Sequence, residues 1–255
     1  MEETGRVALV TGAASGIGRA AAIRLSAHGA ATALVDRSAE GLAQTAAAIE
    51  AADGKVITVT ADLRESGTAE RAAAKAVEAF GGIDVLVAAA GISPRGSVTE
   101  TSDEEWDAVL AINLTAVFRC CRAVVPVMQS RGGGSIVIVG SAWGLVAGPR
   151  AAAYAAAKAG VVNLARAIAI DHGPEGIRAN AVCPGDIDTP LMRGEMAAVG
   201  LDPEVAVVES AAGRPARRVG IPEDVAAAIA YLAGGESGYV TGTTLTVDGG
   251  WLAGG

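Results

Sequence analysis

Tyr154 and Lys158 lie four residues apart, and Ser141 precedes them by a short stretch. On a helix, positions i and i+4 share one face, so the phenol and the ammonium point the same way. A free tyrosine ionises near pH ~10, and a cation within ~4–6 Å favours the phenolate, so this spacing predicts a lowered pKa. A phenol so placed can exchange a proton with an alcohol or a ketone near neutral pH. Ser141 follows the apolar run Ser135-Ile-Val-Ile-Val-Gly140. It is expected at the carboxyl end of a buried strand, where open α/β sheets hold their ligands. A Tyr-x-x-x-Lys spacing recurs by chance in many helices, and its weight here comes from what precedes it.

The elements that must carry these groups begin with Arg6 to Thr11, a short buried strand. It leads into Thr11-Gly12-Ala-Ala-Ser15-Gly16-Ile17-Gly18 and an alanine-rich helix from Arg19 to His28, stopped by Gly29. Glycines in such a turn let the backbone approach a pyrophosphate, and the helix amino terminus supplies N–H donors and positive potential. The next strand, Ala31 to Val35, ends in Asp36, about 20 residues after the glycine turn, where a carboxylate can accept both ribose hydroxyls and repel a 2′-phosphate. Asp36 can also cap the helix that begins near Ser38, and the two roles are compatible. Arg37 beside it could instead welcome that phosphate. A second unit follows, with a helix from Ala39 to Ala52 and a strand from Lys55 to Val59, and it ends at Asp62-Leu63, placed for an adenine edge.

Helix Ser66 to Phe80 and strand Ile83 to Ala88 come next, and the strand exits through the small residues Ala89-Ala90-Gly91. Such an exit suits a backbone pressed against a flat cofactor. Asp103 to Ser130 reads as one long periodic helix with Asn113 among apolar neighbours. A buried asparagine needs partners, as a structural hydrogen-bonder or as a member of a relay. The helix from Ala151 to Asp171 is apolar on nearly every side, which points to a subunit interface. Ile177 to Val182 forms a strand, and Leu191 to Arg218 is the least regular stretch, a lid over a pocket or an ordinary surface excursion. Pro222 opens a last helix through Leu232, and Thr243 to Val247 closes the chain's strands. With neither repeat nor linker, the expectation is one α/β domain spanning residues 1–255.

Composition narrows the partners. A chain of 255 residues with 51% hydrophobic and 19% charged residues fits one large α/β domain with a sizeable core. The net charge of −8 argues against a nucleic-acid surface. Gly, Pro or charge interrupts every apolar stretch that would reach membrane length, and no charged-then-apolar leader opens the chain, so no membrane partner is expected. The three cysteines, Cys120, Cys121 and Cys183, form neither a disulfide framework nor a metal-ligand spacing, which points to a reducing cytoplasm and no metal. The two histidines, His28 and His172, each precede a glycine at a helix end, where a cation suits the helix dipole, and a Ser-His-Asp hydrolase is disfavoured.

Taken in order, these motifs resemble the short-chain dehydrogenase/reductase family, in its compact form of about 250 residues. The resemblance runs along essentially the whole chain. It rests on Thr-Gly-x-x-x-Gly-x-Gly at 11–18, Asp62, Ala90-Gly91, Asn113, Ser141, Tyr154-x-x-x-Lys158, Asn180, Pro184-Gly185, Thr189-Pro190 and Pro222-Glu-Asp224. It implies a Rossmann-like doubly wound parallel sheet of about seven strands in the order 3-2-1-4-5-6-7, a homotetramer, and a nicotinamide cofactor. By that resemblance, Tyr154 is the general acid/base, Lys158 lowers its pKa and holds the nicotinamide ribose, and Ser141 steadies the substrate oxygen. Asn113 would position a water leading from Lys158 to solvent. Pro184, Gly185, Ile187 and Thr189 would face the nicotinamide end, while Gly12, Ser15, Gly16, Ile17, Gly18, Asp36, Arg37, Asp62, Leu63, Ala90 and Gly91 would hold the rest of the cofactor. One departure is Ala88-Ala89 where many members carry two asparagines that steady the strand.

The leading expectation is therefore an enzyme that interconverts a secondary alcohol and a ketone, with NAD favoured over NADP by Asp36 and by Ser15, which stands where many NADP users carry a basic residue. A reductase of 3-oxoacyl thioesters is the alternative within the class. A cofactor-sensing protein without chemistry is the alternative outside it, although Ser141, Tyr154 and Lys158 are all retained. The substrate is expected to be a small molecule with an anionic or strongly polar group, gripped by Arg95 or Arg150 against an apolar wall at Trp143. The competing reading leaves both arginines as solvated or ion-paired surface residues.

Overall fold

The computed structural model describes residues 5–254. Seven strands form one sheet in the order β3-β2-β1-β4-β5-β6-β7, every neighbouring pair parallel. They are β1 (Val7–Thr11), β2 (Ala31–Asp36), β3 (Val56–Thr60), β4 (Val85–Ala88), β5 (Gly134–Val139), β6 (Ile177–Pro184) and β7 (Thr244–Val247). All of β1 and all of β4 are buried. That explains why both read as unbroken apolar runs: a parallel sheet covered on both faces has no polar side. Side chains alternate between two cores, so Leu9 packs on one face while Ala8 and Val10 pack on the other.

The first face is covered by α3 (Thr68–Phe80), by α5 (Ala116–Ser130) and by α6 (Ala152–His172), through residues such as Ala76, Val124, Met128 and Val161. The second is covered by α1 (Gly16–Ala27), α2 (Ala39–Glu50) and α9 (Pro222–Ala233), through Leu25, Leu42, Ile49 and Ile229. The order reverses at β1, whose neighbours β2 and β4 lead outward in opposite directions, and that switch point opens a crevice at the strands' carboxyl ends.

Two expectations change here. The stretch 191–218 is not irregular: it folds as α7 (Pro190–Ala198) and α8 (Pro203–Ala212), each begun by a proline and capped, by Thr189 and Asp202 respectively. Proline at the first helical position starts a helix rather than breaking one. The runs Asp103–Ser130 and Ala152–Glu175 are also long and apolar enough to cross a membrane. Pro126 and Gly160 lie inside these helices without ending them, which corrects the expectation that such residues interrupt every long apolar stretch. Both runs contribute core residues against the sheet, Val124 and Met128 from one and Val161 and Ala165 from the other.

Candidate active site

The glycine turn leaves β1 and enters α1 at the switch point. Gly12 and Gly16 take positive φ values of 68° and 52°. A Cβ on Gly18 would lie 2.2 Å from the Gly12 carbonyl oxygen, and one on Gly12 would lie 2.7 Å from the Ala90 nitrogen. Only glycine fits at 12 and 18. Ser15 sits at the N-cap of α1 and makes no side-chain cap, so the first-turn amides face the groove rather than its hydroxyl. The groove, about 240 Å³, passes Gly12, Ser15, Gly16, Ile17 and Gly18, then Asp36 and Arg37, and reaches Asp62 and Leu63 at its far end. Ala90 and Gly91 form the wall that β4 provides. A dinucleotide fits these residues: glycines and helix amides for a pyrophosphate, a carboxylate for a ribose, an apolar edge for a base.

Asp36 serves two purposes. Its carboxylate accepts from the Ala14 amide at 3.2 Å and from the Ser38 amide at 3.0 Å, so it holds the glycine turn as well as lining the groove. Ser38, not Asp36, caps α2 through Gly41. Asp62 is bound by Arg64, whose Nε lies 3.0 Å from Oδ2, a partner that the sequence reading missed. The Arg64 guanidinium holds the Asp62 carboxyl below its ordinary range. The alanines at 88 and 89 leave β4 well tied, because the Thr11 hydroxyl accepts from the Ala89 and Ala90 amides at 3.2 and 3.4 Å.

Asn113 lies in a π-helical turn, Ala111–Thr115, that joins α4 (Asp103–Leu110) to α5. Single π turns of this kind recur at functional sites. The side chain is fully buried, its Nδ2 donating to the Ile92 carbonyl oxygen at 2.8 Å and its Oδ1 accepting from the Ile92 amide at 3.1 Å. Both ends of the carboxamide are thus spent on one backbone residue beside Gly91, which is the structural half of the two roles expected of it.

Ser141, Tyr154 and Lys158 converge on a second cavity of about 130 Å³, together with Pro184, Gly185, Ile187 and Thr189. Its walls share Ile17, Ala89, Gly91, Thr189 and Leu191 with the groove, so the two are continuous. The predicted lowering of the Tyr154 pKa is reversed. Burial pushes the phenol up to about 12, against the pull of its hydrogen bond with Ser141, and Glu195 adds to the rise. Lys158 does not offset this. Its Nζ donates to the Val139 carbonyl oxygen at 2.7 Å and lies 5.6 Å from the centroid of the tyrosine ring. Burial also lowers Lys158 to about 8.

The three substrate candidates part company. Trp143 lines the cavity with its ring edge-on to Tyr154 at 6.2 Å, as expected of an apolar wall. Arg95 lines it too, but its Nε lies 3.2 Å from Oε2 of Glu195 on α7. Arg150 is outside: it precedes α6 with φ of 52°, so the helix has not begun there, and its Nη1 pairs with Glu100 at 2.5 Å on the surface. Glu195, Asp186, Met192, Met196 and Trp251 complete the cavity and were not foreseen. For Met192, Glu195 and Met196 the only signal was the position of 191–218 after the β6 exit.

A family model described as enoyl-(acyl carrier protein) reductase matches residues 12–252. Among curated relatives, 2-(R)-hydroxypropyl-CoM dehydrogenase of Xanthobacter autotrophicus is 41% identical, covering 97% of this chain and 99% of its own. This chain belongs to the short-chain dehydrogenase/reductase family. Another member, cis-4-hydroxycyclohexanecarboxylate dehydrogenase of Sinomonas cyclohexanicum, is 41% identical over 97% of each chain. The crystal structure of levodione reductase, 38% identical, superposes with a TM-score of 0.96 over 99% of both chains. The chain is accordingly an oxidoreductase of that family, with the Rossmann-like fold its motifs implied.

Proposed function

We propose that this short-chain dehydrogenase/reductase interconverts a secondary alcohol and a ketone with NAD, Tyr154 acting as general acid/base. The observation that carries the reading is the meeting of Ser141, Tyr154 and Lys158 in a cavity that opens into the glycine-walled groove. When bound, the nicotinamide accepts or supplies the hydride. Gly12, Gly16 and Gly18 with the α1 amides would hold its pyrophosphate, Asp36 its adenosine ribose, and Lys158 its second ribose. With a pKa of about 12 the phenol keeps its proton at neutral pH, which suits it to protonate the carbonyl oxygen of a ketone undergoing reduction. The Ser141 hydroxyl, hydrogen-bonded to that phenol, stabilises charge developing on the same oxygen. In the oxidative direction Tyr154 must lose its proton first, so alcohol oxidation gains with rising pH.

Asp36 supports NAD over NADP, because a 2′-phosphate would meet a second negative charge; Arg37, exposed beside it, works in the opposite sense. The α7–α8 segment acts as the lid. The same reading makes the chain a cytoplasmic homotetramer, for which the exposed Phe118 on α5 and Ile170 on α6 offer apolar contact. The test is a panel of cyclic and linear alcohols and ketones, with a 3-oxoacyl thioester as the alternative, assayed with both cofactors at the absorbance of the reduced form. Turnover of a ketone with NADH supports the reading, and turnover of none of the panel overturns it.

A further inference from the structure

Four charged side chains line the cavity around Tyr154 among the described residues: Arg95, Lys158, Asp186 and Glu195. Each is already engaged. Lys158 is held by Val139. Arg95 pairs with Glu195, both largely buried at 16% and 13% side-chain exposure, lies 4.3 Å over the Trp143 ring and donates to the Pro149 carbonyl oxygen at 3.1 Å. Asp186 repeats the design: it accepts from Arg214 and from Ser210, and Arg214 lies 4.2 Å over the Trp251 ring. Two guanidiniums are therefore each spent on a carboxylate and each stacked on an indole. Leu191, Met192 and Met196 from the lid add apolar wall.

We propose that the Arg95–Glu195 pair makes this cavity selective for an uncharged alcohol or ketone, and that Glu195 is the residue that turns anionic substrates away. The inference rests on the oxidoreductase reading and names its substrate class. A carboxylate entering the cavity meets Glu195 and Asp186 as like charges, while the one guanidinium on the wall is occupied. Taking the charge from Glu195 leaves Arg95 with its planar fork free for a bidentate carboxylate. Selection against anions reverses the expectation that Arg95 grips an anionic group.

The experiment uses the matched probes 4-oxocyclohexanecarboxamide and 4-oxocyclohexanecarboxylate. Each is titrated into the full chain with saturating NAD+, so that a ketone binds without turnover, and followed by quenching of Trp143 and Trp251 fluorescence. The wild type should bind the carboxamide about tenfold or more tighter than the carboxylate, a difference typical of one unfavourable charge contact. Glu195→Gln should shift that ratio about tenfold or more toward the carboxylate, and Arg95→Gln, which leaves Glu195 unpaired, should shift it the other way. Equal binding of both probes by the wild type, an unchanged ratio in Glu195→Gln, or binding of neither probe overturns the proposal. Turnover of the corresponding alcohols is read separately, so failure of the oxidoreductase reading leaves the binding ratio legible.

Discussion

Around Gly12, Gly16 and Gly18 the groove is walled by the backbone of one strand–turn–helix unit and of the adjoining β4 exit, and its tolerance is set by close approaches such as the 2.2 Å between a Gly18 Cβ and the Gly12 carbonyl oxygen. Beneath α7 and α8 the cavity is walled by side chains that come from distant parts of the chain, Arg95 meeting Glu195 and Trp143, Asp186 meeting Arg214. On the proposed reading the first region recognises a group common to a whole family, so short spacing suffices to build it. On the same reading the second region recognises the substrate, and long-range pairs set its charge and shape. A substitution should act accordingly, through geometry in the groove and through electrostatics in the cavity.

The sharpest break falls in the groove. Gly18→Ala puts a methyl where the Gly12 carbonyl stands, so the turn must shift, and the dissociation constant of the cofactor should rise about 100-fold or more by calorimetry, equivalent to roughly 3 kcal/mol. A cofactor affinity unchanged in this variant would mean that the turn does not contact the pyrophosphate.

A middle-sized effect belongs to the charges. Burial lowers Lys158 to about 8, so its ammonium is present below that pH and lost above it, whereas Tyr154 stays protonated to about 12. The kcat/KM for ketone reduction should be flat up to about pH 8 and then fall, up to about tenfold per pH unit, because that ratio reports the free enzyme. A profile flat to pH 10 would separate Lys158 from the reaction. Asp36→Asn removes the negative charge while keeping an oxygen that can accept an amide, and should move the NADP-to-NAD ratio of kcat/KM upward by about tenfold.

How far the sequence carried these expectations follows the same division. The glycine turn, Asp36 and the Ser141–Tyr154–Lys158 set were legible because each is a motif of a few residues, and the strand order came only with the family that those motifs resemble. Three features were not legible. The π turn around Asn113 leaves no mark on an apolar repeat, since a single extra residue is absorbed within the helix. The stretch 191–218 reads as the least regular of the chain, although Pro190 and Pro203 each start a helix there. The sign of the Tyr154 shift depends on burial, which a spacing between two residues does not contain.

The smallest effect is assigned to Arg150. Its pair with Glu100 is exposed, 55% and 44%, and exposed pairs contribute about 0–1 kcal/mol. Arg150→Ala should leave kcat/KM within about twofold, the size such a surface contact allows. A large loss confined to charged substrates would restore the arginine to the cavity.

The central claim is that Tyr154 moves the proton in a site whose cofactor groove is independent of it. Tyr154→Phe deletes one hydroxyl and leaves the ring against Trp143. Cofactor affinity by calorimetry and ketone reduction should be measured on the same preparation. The account predicts an affinity close to that of the wild type and a turnover lower by ~10²–10⁴-fold, the usual worth of a general acid/base. A variant that bound the cofactor normally and kept most of its turnover would contradict it.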